Sequence, residues 1–495
     1  MRILLVTEGT YPYVVGGVST WCDQLIRGLS EHQFALLSLI GPIPPEPQFA
    51  RPDNIEKLHA VPLWRARKGL RTPNYEERQK FDQALNQFSD FIDGNLVGLG
   101  QGLLELSRLG DEFDLWNLFE RKAVWQMLAQ KLTPHLLYRP RLAEIAQAAN
   151  WLRSALVPLL FIPQKTDIVH TIVNGLAALP AWVASKVHGV PLVLTEHGVY
   201  LRERYLAFSE ERESPVVKYL RVSLYQALAR LVYLHADKVL SVSEFNRSWQ
   251  KEFGANPGKA QVIYNGVDPR LFPPLAERAQ PTPTVVWIGR IDPLKDLETL
   301  IYAFKRVQAQ LPEAQLKLYG PVPKGNESYF MSLAGLIESL GLDTQVSFEG
   351  PVNPASLAYQ QADVVALSSV SEGFPYTLIE AMMSARAVVA SQVGGVAEVV
   401  GDAGLLVPAQ QAEQFADALI MLLTQPELRQ YYAQRGRRRA LSYFTLEKLL
   451  TAYNKVYQNL LSPIVVDWDD PVMLVTNGPV TEEEEPPLLR DEDGQ

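Results

Sequence analysis

Residues 363–382 read DVVALSSVSEGFPYTLIEAM, and this stretch decides the fold. The apolar run at 363–369 is typical of a buried strand, and the residues Ser371-Glu372-Gly373-Phe374 are predicted to form a loop. Pro375 suits the first turn of a helix, which then continues through TLIEAMM. The stretch is therefore predicted to be a strand, a loop and a helix, the unit from which parallel α/β sheets are built.

The same unit recurs on both sides of this stretch. In the first half of the chain, the strand candidates are the apolar runs at residues 2–7, 34–41, 168–173, 191–198, 237–244 and 261–268. After a linker, the second half offers strand candidates at residues 284–290, 314–320, 345–350, 363–369, 387–395 and 404–408. Strands that alternate with helices predict doubly wound parallel sheets, so we expect two Rossmann-like α/β domains.

The predicted N-terminal domain spans residues 1–275, and the predicted C-terminal domain spans residues 284–440. Residues from about 44–160 begin with a proline-rich loop and continue as long helical segments, which predicts a helical insertion in the first domain. A last helix at 441–462 is expected to pack back toward the N-terminal domain. Two such domains leave an interdomain cleft, and ligands of these folds bind at the carboxyl ends of the strands.

Composition and charge narrow the class of protein. Of the 495 residues, 47% are apolar and 20% are charged, as in ordinary globular proteins. The net charge is −9, and residues 481–495 carry −6 of it, from seven acids and one arginine. Residues 480–495 are therefore predicted to be a disordered acidic tail. Nothing in this balance suggests nucleic-acid binding.

Cys22 is the one cysteine, so a reducing compartment is expected. The N-terminus lacks the features of a signal peptide, and no apolar run approaches the ~20 residues that span a bilayer. We therefore expect a cytoplasmic protein that can dock peripherally on a partner at the inner face of the membrane.

Two cations follow the first predicted strand of the second domain. Gly289 and Arg290 end that strand in WIGRIDPLKDLETL, and Lys295 comes just before a helix. An arginine fork and a mobile lysine at the mouth of a strand–loop–helix unit suit a diphosphate. The alternatives are that both cations are solvated surface charges or that Asp292 and Asp296 tether them.

Glu372 stands on the loop of the opening stretch, and Glu380 lies about one turn inside its helix. The two carboxylates can therefore address different parts of one elongated ligand. Backbone N–H groups from Gly373 to Tyr376 would meet a phosphate between them, helped by the positive end of the helix. The alternative is an acid that complements the helix dipole together with an ordinary surface acid.

Three further stretches follow predicted strands. Gly16 and Gly17 in YVVGGVSTW let a ligand approach the backbone, or form only a tight turn. His197 in TEHG is either a ligand contact or a structural histidine. Glu398 in GGVAEVV is either a site residue or a surface acid. No second histidine or cysteine has a metal-ligand spacing, so no zinc site is predicted.

Together these elements resemble the family 4 retaining glycosyltransferases, which have the GT-B fold, over roughly residues 1–41 and 165–461. The matched positions are Gly16-Gly17 for the glycine loop, His197 for the histidine, Arg290 and Lys295 for the cation pair, Glu372 and Glu380 for the E-x7-E motif, and residues 265–268 for the phrase NGVD. The sequence departs from the family's usual motif at Asp296, where many members have glycine.

A narrower resemblance is to the cytosolic PelF-type enzymes of Pel exopolysaccharide synthesis, which are associated with UDP-glucose. It is carried by TEGTYPYVVGGVSTWCDQLI, by the helical insertion and by LTEHGVYLRER.

The resemblance implies a nucleotide-sugar site in the C-terminal domain and an acceptor that faces the N-terminal domain. Glu380 would bind the ribose hydroxyls, and Arg290 with Lys295 would neutralise the diphosphate. Glu372 would hold the sugar hydroxyls, and His197 would contact the sugar from the other domain. The implied catalytic residues are Arg290, Lys295, Glu372 and His197. The implied donor-binding residues are Gly16, Gly17, Gly289, Gly320, Gly373, Phe374, Pro375, Tyr376, Thr377 and Glu380, and the implied acceptor contacts or supports of the site are Glu398 and Asn265.

The predicted reaction transfers a hexose, with glucose favoured, from a UDP-sugar to a growing exopolysaccharide or other glycan acceptor, with retention of configuration. No metal and no cofactor is expected, because fixed cations can stabilise the leaving diphosphate and no Asp-x-Asp loop of the metal-dependent kind is evident. Retention by same-face attack and retention by covalent double displacement both stay open. A membrane-bound polysaccharide synthase complex is a candidate partner.

Two other functions fit the same pattern. One is a sugar-nucleotide epimerase of the same architecture, and the other is a non-catalytic subunit that binds a nucleotide sugar for a polysaccharide synthase. An oxidoreductase is disfavoured, because the first glycine loop lacks the G-x-G-x-x-G fingerprint.

Overall fold

The computed structural model describes residues 1–43, 45–65, 70–208, 213–276 and 282–461. The predicted acidic tail at 480–495 lies outside the described residues. The described part contains two parallel sheets, each covered by helices, and this confirms the predicted doubly wound α/β architecture. Its hydrophobic runs lie in the strands, as expected for parallel sheets that are buried on both faces.

The first sheet has seven parallel strands in the order β3-β2-β1-β4-β5-β6-β7. They are β1 Arg2–Glu8, β2 Gln33–Ile40, β3 Ile55–Pro62, β4 Ile168–Thr171, β5 Leu192–Glu196, β6 Lys238–Ser241 and β7 Ala260–Val262. The order reverses between β1 and β4, so the carboxyl ends of these two strands flank a crevice of the kind that binds ligands in open α/β sheets.

The second sheet has six parallel strands in the order β10-β9-β8-β11-β12-β13. They are β8 Thr284–Ile288, β9 Gln315–Tyr319, β10 Val346–Gly350, β11 Val364–Leu367, β12 Ala387–Ser391 and β13 Leu405–Val407. Here β8 and β11 are neighbours, so the loops that carry the two predicted cations and the first glutamate leave the sheet side by side.

Helices connect most of the successive strands. They are α1 Gly17–Gly28, α2 Tyr75–Phe88, α3 Leu96–Glu112, α4 Lys122–Leu132, α5 Leu142–Ala155, α6 Ala178–His188, α7 Tyr200–Phe208, α8 Pro215–His235, α9 Glu244–Glu252, α10 Leu297–Gln310, α11 Glu327–Ser339, α12 Ser356–Gln360, α13 Tyr376–Met383, α14 Val396–Val400, α15 Ala412–Thr424, α16 Pro426–Tyr443 and α17 Leu446–Leu461. Within the described ranges, no helix is both long enough and apolar enough to cross a membrane.

The prediction of a purely helical insertion at about 44–160 is wrong at its start. Residues 55–62 form β3, an edge strand that pairs with β2 in parallel. Its sequence IEKLHAVP mixes charged and apolar residues, and most of its positions are only half-buried. A half-exposed edge strand gives no continuous apolar run, which is why the pattern did not indicate it. The helical part of the insertion, α2 to α5, follows β3 and packs on the core of the first domain.

The end of the chain returns to the first domain. Helix α16 contacts α13 of the second domain, and α17 then packs against α1. Tyr453 of α17 lies against Trp21 of α1, and Asn454 bonds to His32 at 3.0 Å. The predicted helix at 441–462 is thus realised as the end of α16 followed by α17 Leu446–Leu461.

Candidate active site

The loops at the carboxyl ends of the two sheets meet each other. Gly373, in the loop after β11, lies against the backbone of His197, in the loop after β5. A Cβ atom at Gly373 would stand only 2.1 Å from the His197 carbonyl oxygen. In the same way, Gly395 after β12 faces Ser243 after β6. The predicted site residues therefore lie at a junction of both domains, where glycine permits the close approach.

Lys295 and Glu372 form an ion pair at this junction. The Lys295 Nζ and Glu372 Oε1 atoms are 2.6 Å apart, and the side chains are 21% and 11% exposed. Ser369 donates its hydroxyl to the same carboxylate oxygen, also at 2.6 Å. Ser368 holds the other end of the lysine, because its hydroxyl donates to the Lys295 carbonyl at 2.8 Å. The structure thus brings one predicted cation and the first glutamate of the motif into direct contact.

Asp292 and Asp296 do not tether the cations as the alternative proposed. Asp292 caps a short turn of helix by accepting the Leu294 N–H at 3.0 Å. Asp296 caps α10, because its carboxylate accepts the Thr299 N–H at 3.3 Å and the Thr299 hydroxyl at 2.7 Å. Asp296 has a left-handed φ of 47°, which glycine adopts freely and aspartate tolerates better than most residues. The departure from the usual glycine therefore keeps the loop geometry and adds a cap.

Arg290 follows Gly289 at the end of β8 and is exposed. No hydrogen bond or ion pair of its guanidinium group occurs within the described residues. The loop beneath it is fixed by close backbone packing, since the Gly289 N–H donates to the Tyr319 carbonyl at 2.9 Å. Gly320 has a φ of 144°, and a Cβ atom there would stand 1.6 Å from the Gly289 carbonyl oxygen. These two glycines are required by the meeting of two strand ends, and their contact with a donor stays a prediction.

Helix α13 begins at Tyr376, so Pro375 lies just before it and not in its first turn. Glu380, one turn into the helix, accepts the Tyr359 hydroxyl at 2.7 Å. Burial raises the pKa of Glu380 above its usual range. Thr377 turns toward the end of β8, with its hydroxyl 3.4 Å from the Ile288 carbonyl. The second glutamate therefore has a hydroxyl partner and a buried setting, in contrast to the ion-paired first glutamate.

Phe374 and Asn265 connect the motif loop to the end of the first domain. The Phe374 ring stacks on Tyr264 with centroids 4.9 Å apart. The Asn265 side chain donates to the Phe374 carbonyl at 3.1 Å, and its own Oδ1 atom has no hydrogen-bond partner in the described chain. Asn265 therefore supports the motif loop, which is one of the two roles that the sequence predicted for it.

Gly16 and Gly17 lie opposite the start of α13. Gly17 is the first residue of α1, and a Cβ atom there would meet the Tyr376 ring at 3.4 Å. The Tyr376 hydroxyl donates to Gln24 Oε1 at 3.1 Å, which joins the two domains across the junction. The glycine loop thus faces the predicted donor helix.

His197 projects its ring toward α1, where it lies edge-on to Trp21 with centroids 4.8 Å apart. Its Nε2 atom is shielded from solvent and has no hydrogen-bond partner in the described part of the chain. Burial lowers the pKa of His197 to about 3, so the imidazole is neutral at physiological pH. A shielded ring nitrogen without a partner requires an explanation, and the contact of His197 with a donor sugar stays a prediction.

Glu398 bridges the two domains. Its two carboxylate oxygens accept the backbone N–H groups of Glu244 at 2.7 Å and Phe245 at 2.8 Å, at the start of α9. A carboxylate at this position satisfies free helix N–H groups and complements the helix dipole. The structure places Glu398 as a cap of α9, and it leaves an acceptor contact of this side chain as a prediction.

Known proteins match both halves of the chain. Residues 1–258 match the model of a domain family of unknown function (DUF3492), and residues 275–439 match the model of the glycosyl transferases group 1. A D-inositol 3-phosphate glycosyltransferase of Rhodococcus jostii is 30% identical over 316 residues, which are 60% of this chain and 68% of that protein. The chain belongs to the group 1 glycosyltransferases.

Solved glycosyltransferase structures share the fold of this chain. A sucrose-phosphate synthase from Thermosynechococcus elongatus superposes with a TM-score of 0.61 at 20% identity, covering 93% of this chain and 98% of the other. Anabaena Alr3699/HepE, solved with UDP and glucose, superposes with a TM-score of 0.60 at 16% identity, covering 92% of this chain and 99% of the other. This group 1 glycosyltransferase therefore has the predicted GT-B fold.

Four side chains at the junction of this glycosyltransferase were not predicted. Ser369 bonds Glu372, Tyr359 bonds Glu380, Gln24 bonds Tyr376, and Trp21 packs on His197. Ser369 could have been found, because a hydroxyl after a buried strand points to a strand-end site. The other three partners are far from the motif in sequence and carry no signal of their own.

Proposed function

We propose that this protein is a retaining hexosyltransferase that transfers glucose from UDP-glucose to a growing exopolysaccharide, as the PelF-type enzymes do. One observation carries the proposal: the contact of 2.6 Å between Lys295 and Glu372 joins the cation loop of β8 to the E-x7-E loop of β11. A fixed cation, a carboxylate and the start of α13 then share one strand-end site, which is the chemistry that a nucleotide sugar requires. The UDP and glucose bound to HepE support this choice of donor.

The donor would lie with its diphosphate between the cation loop and the start of α13. Arg290 is exposed at the same strand end and has the planar fork that binds phosphate oxygens in pairs. Lys295 would exchange part of its contact with Glu372 for a contact with the diphosphate. Glu380 would accept hydrogen bonds from the ribose hydroxyls through the carboxylate oxygen that Tyr359 does not occupy.

The bond between the anomeric carbon and the phosphate oxygen breaks with negative charge developing on the diphosphate. Arg290, Lys295 and the free N–H groups at the start of α13 would stabilise that charge, because all three lie at the same strand end as the departing diphosphate. We propose same-face attack, in which the departing phosphate oxygen takes the proton of the acceptor hydroxyl. Retention then needs no covalent intermediate.

His197 would hold the sugar from the N-terminal domain. A neutral imidazole can donate or accept one hydrogen bond but adds no positive charge, so it would orient a sugar hydroxyl without competing with the cations for the phosphates. The backbone carbonyl of His197 lies against Gly373, so the ring and the motif loop would close on the sugar together.

We further propose that the reaction requires neither a metal nor a cofactor, that the protein acts in the cytoplasm, and that a membrane-bound polysaccharide synthase complex receives its product. The first part rests on the fixed cations, and a transfer assay in excess EDTA tests it. Unchanged turnover is the expected result, and a loss that added Mg²⁺ restores would contradict it.

The main experiment measures UDP release and product formation for the Lys295→Ala and Glu380→Ala variants. We expect kcat/KM to fall by at least about 100-fold in Lys295→Ala, as is typical when a group that stabilises developing charge is removed. In Glu380→Ala we expect kcat/KM to fall because the ribose hydroxyls lose their acceptor. Lys305→Ala on α10 and Glu338→Ala on α11 are matched controls in the same domain, and they should keep wild-type activity. Folded Lys295→Ala protein with near-normal turnover would remove the lysine from the site and refute the proposal.

The donor is tested by thermal shift with UDP-, GDP- and ADP-sugars. A cognate donor at 100 times its Kd stabilises the folded protein by about 2.7 kcal/mol, so only the UDP-sugar should raise Tm. A rise with GDP- or ADP-sugars alone would contradict the choice of base. Conversion of the donor sugar without an acceptor would indicate an epimerase instead.

A further inference from the structure

The orientation of the His197 ring is set by packing, because its Nε2 atom makes no hydrogen bond within the described residues. That nitrogen is shielded and has no partner in the described part of the chain. The ring instead meets Trp21 edge-on at 4.8 Å, with an angle of 72° between the planes. Edge-to-face contacts of this kind hold a ring at a defined tilt. The orientation of His197 therefore depends on where Trp21 stands.

Trp21 is fully buried and is clamped by two further rings. Tyr453 meets it at 5.1 Å and His170 at 5.9 Å, both edge-on. Trp21 lies on α1, the helix that begins at the glycine loop, and Tyr453 lies on α17. The last helix of the chain thus forms one wall around a residue that touches the predicted sugar contact.

A buried chain of hydrogen bonds fixes Tyr453 in turn. Its hydroxyl is 3.2 Å from the hydroxyl of Thr195, which lies on β5 two residues before His197. The Thr195 hydroxyl is 2.8 Å from His170 Nε2, and His170 Nδ1 is 2.7 Å from the Tyr457 hydroxyl. Burial lowers the pKa of His170 to about 3, so the ring stays neutral and the chain keeps one arrangement across physiological pH.

We propose that Trp21 and Tyr453 are positioning residues that set the orientation of His197, so that the C-terminal helix α17 completes the donor site from outside both sheets. The inference rests on the proposed function, because His197 must contact the donor sugar for its orientation to affect turnover. The ring of Tyr453 transmits the contact, and its hydroxyl only anchors the ring. Removing the ring should therefore matter more than removing the hydroxyl.

The experiment follows the His197 ring directly, by NMR of the full chain labelled with [13Cε1]-histidine, with His197→Ala to assign its resonance. In the wild type, the His197 resonance should not change between pH 5.5 and 8. In Trp21→Phe and in Tyr453→Leu, the ring should gain solvent and titrate within that range. Tyr453→Phe keeps the ring and should restore the wild-type response.

Tyr11→Leu is the matched control, because Tyr11 is a fully buried tyrosine of the same hydrophobic cluster whose ring packs on Phe49. It should leave the His197 resonance unchanged.

Turnover is measured on the same proteins. The kcat should fall about tenfold or more in Trp21→Phe and Tyr453→Leu, while the donor KM should change less, because a misplaced contact lowers the rate more than it weakens binding. Folded Trp21→Phe protein with a silent His197 resonance and normal kcat would overturn the inference. Wild-type turnover in His197→Ala would instead overturn the proposed sugar contact, whatever the resonance shows.

Discussion

Replacing Gly373 by alanine tests whether the approach of the two domains at the motif loop is required for activity. A Cβ atom at this position would stand 2.1 Å from the carbonyl oxygen of His197 and 3.6 Å from the amide nitrogen of Asn246. The first contact is with backbone, so no rotation of a side chain can relieve it. Gly373 is not among the residues with a positive φ, so alanine adds no torsional strain of its own.

The expected displacement follows from these distances. Real Cβ atoms do not come within 3.0 Å of such a neighbour, so the loop and the His197 carbonyl must separate by at least about 0.9 Å, the difference between 3.0 Å and 2.1 Å. His197 and Glu372 lie on the two sides of this contact. A displacement of about 1 Å between groups that orient a substrate can lower the rate by roughly 100-fold.

The assay is kcat/KM for transfer from UDP-glucose, with the donor Kd measured separately. We expect a loss of about 100-fold in kcat/KM for Gly373→Ala. The donor Kd should change less, because under the proposed function the C-terminal domain would supply most of the donor contacts. Gly335→Ala on α11 is the matched control, since no atom lies within 4 Å of its added Cβ. It should keep full activity and gain up to about 1 kcal/mol of stability from a better helix former. Wild-type kcat/KM in Gly373→Ala would refute the requirement for close approach.

Three other substitutions test local physical claims by measuring the free energy of unfolding in urea. Burial raises the pKa of Glu196 to about 7 from 4.5, so its stabilisation is complete below pH 4.5 and is lost as the pH rises through 7. Glu196→Gln should therefore remove a decline on the order of 3 kcal/mol across this window, and an unchanged slope would contradict it. Asp296→Ala should cost about 2 kcal/mol, from the lost cap and the left-handed φ of 47°. Asp296→Gly should cost roughly a few tenths of a kcal/mol, because glycine is accepted at an N-cap and adopts this φ freely. Equal costs for the two variants would contradict the backbone strain at this φ. Glu398→Ala should cost about 1–2 kcal/mol, because the Glu244 and Phe245 N–H groups at the start of α9 lose their acceptor while Ser243 still caps the Asn246 N–H. The exposed Glu338→Ala is the control, and an unchanged stability of Glu398→Ala would contradict this contribution.

The sequence predicted the strands that are buried on both faces, because their apolar runs are continuous. β8 at 284–288 and β11 at 364–367 lie inside the predicted runs, and α10 begins one residue from its predicted start. The strand β3 at 55–62 was missed for the opposite reason, since an edge strand that is half in water shows a mixed pattern. Continuous apolar runs thus indicate burial on both faces. The edge strand β10 at 346–350 was predicted although it is partly exposed, so complete burial is not the only condition for recognising a strand.

The place of the site was also predictable, because parallel strands put all their following loops at one edge. The pairing of its side chains was not. Lys295 and Glu372 are 77 residues apart in sequence, and their contact depends on β8 and β11 being neighbours. The cap that Glu398 supplies to α9 depends on how the two domains meet, which no local pattern encodes.

The two glutamates of the motif have different electrostatic surroundings, and this explains why one loop and helix carry both. Glu372 has a lysine and a hydroxyl on one carboxylate oxygen, so its charge is already balanced before a donor arrives. The Glu372 carboxylate thus offsets the charge of Lys295 at the end of the strand, where Arg290 is a second, exposed cation. Among the described residues, Glu380 has the Tyr359 hydroxyl as its hydrogen-bond donor, and burial raises the pKa of its carboxyl group. Neutral hydrogen-bond donors such as ribose hydroxyls would therefore stabilise this carboxylate, whereas a nearby anion would destabilise it. Under the proposed function, the diphosphate would therefore lie on the Glu372 side, where a cation can be shared, and the nucleoside would lie on the Glu380 side. The seven residues between the two carboxylates set the direction in which a nucleotide sugar would lie.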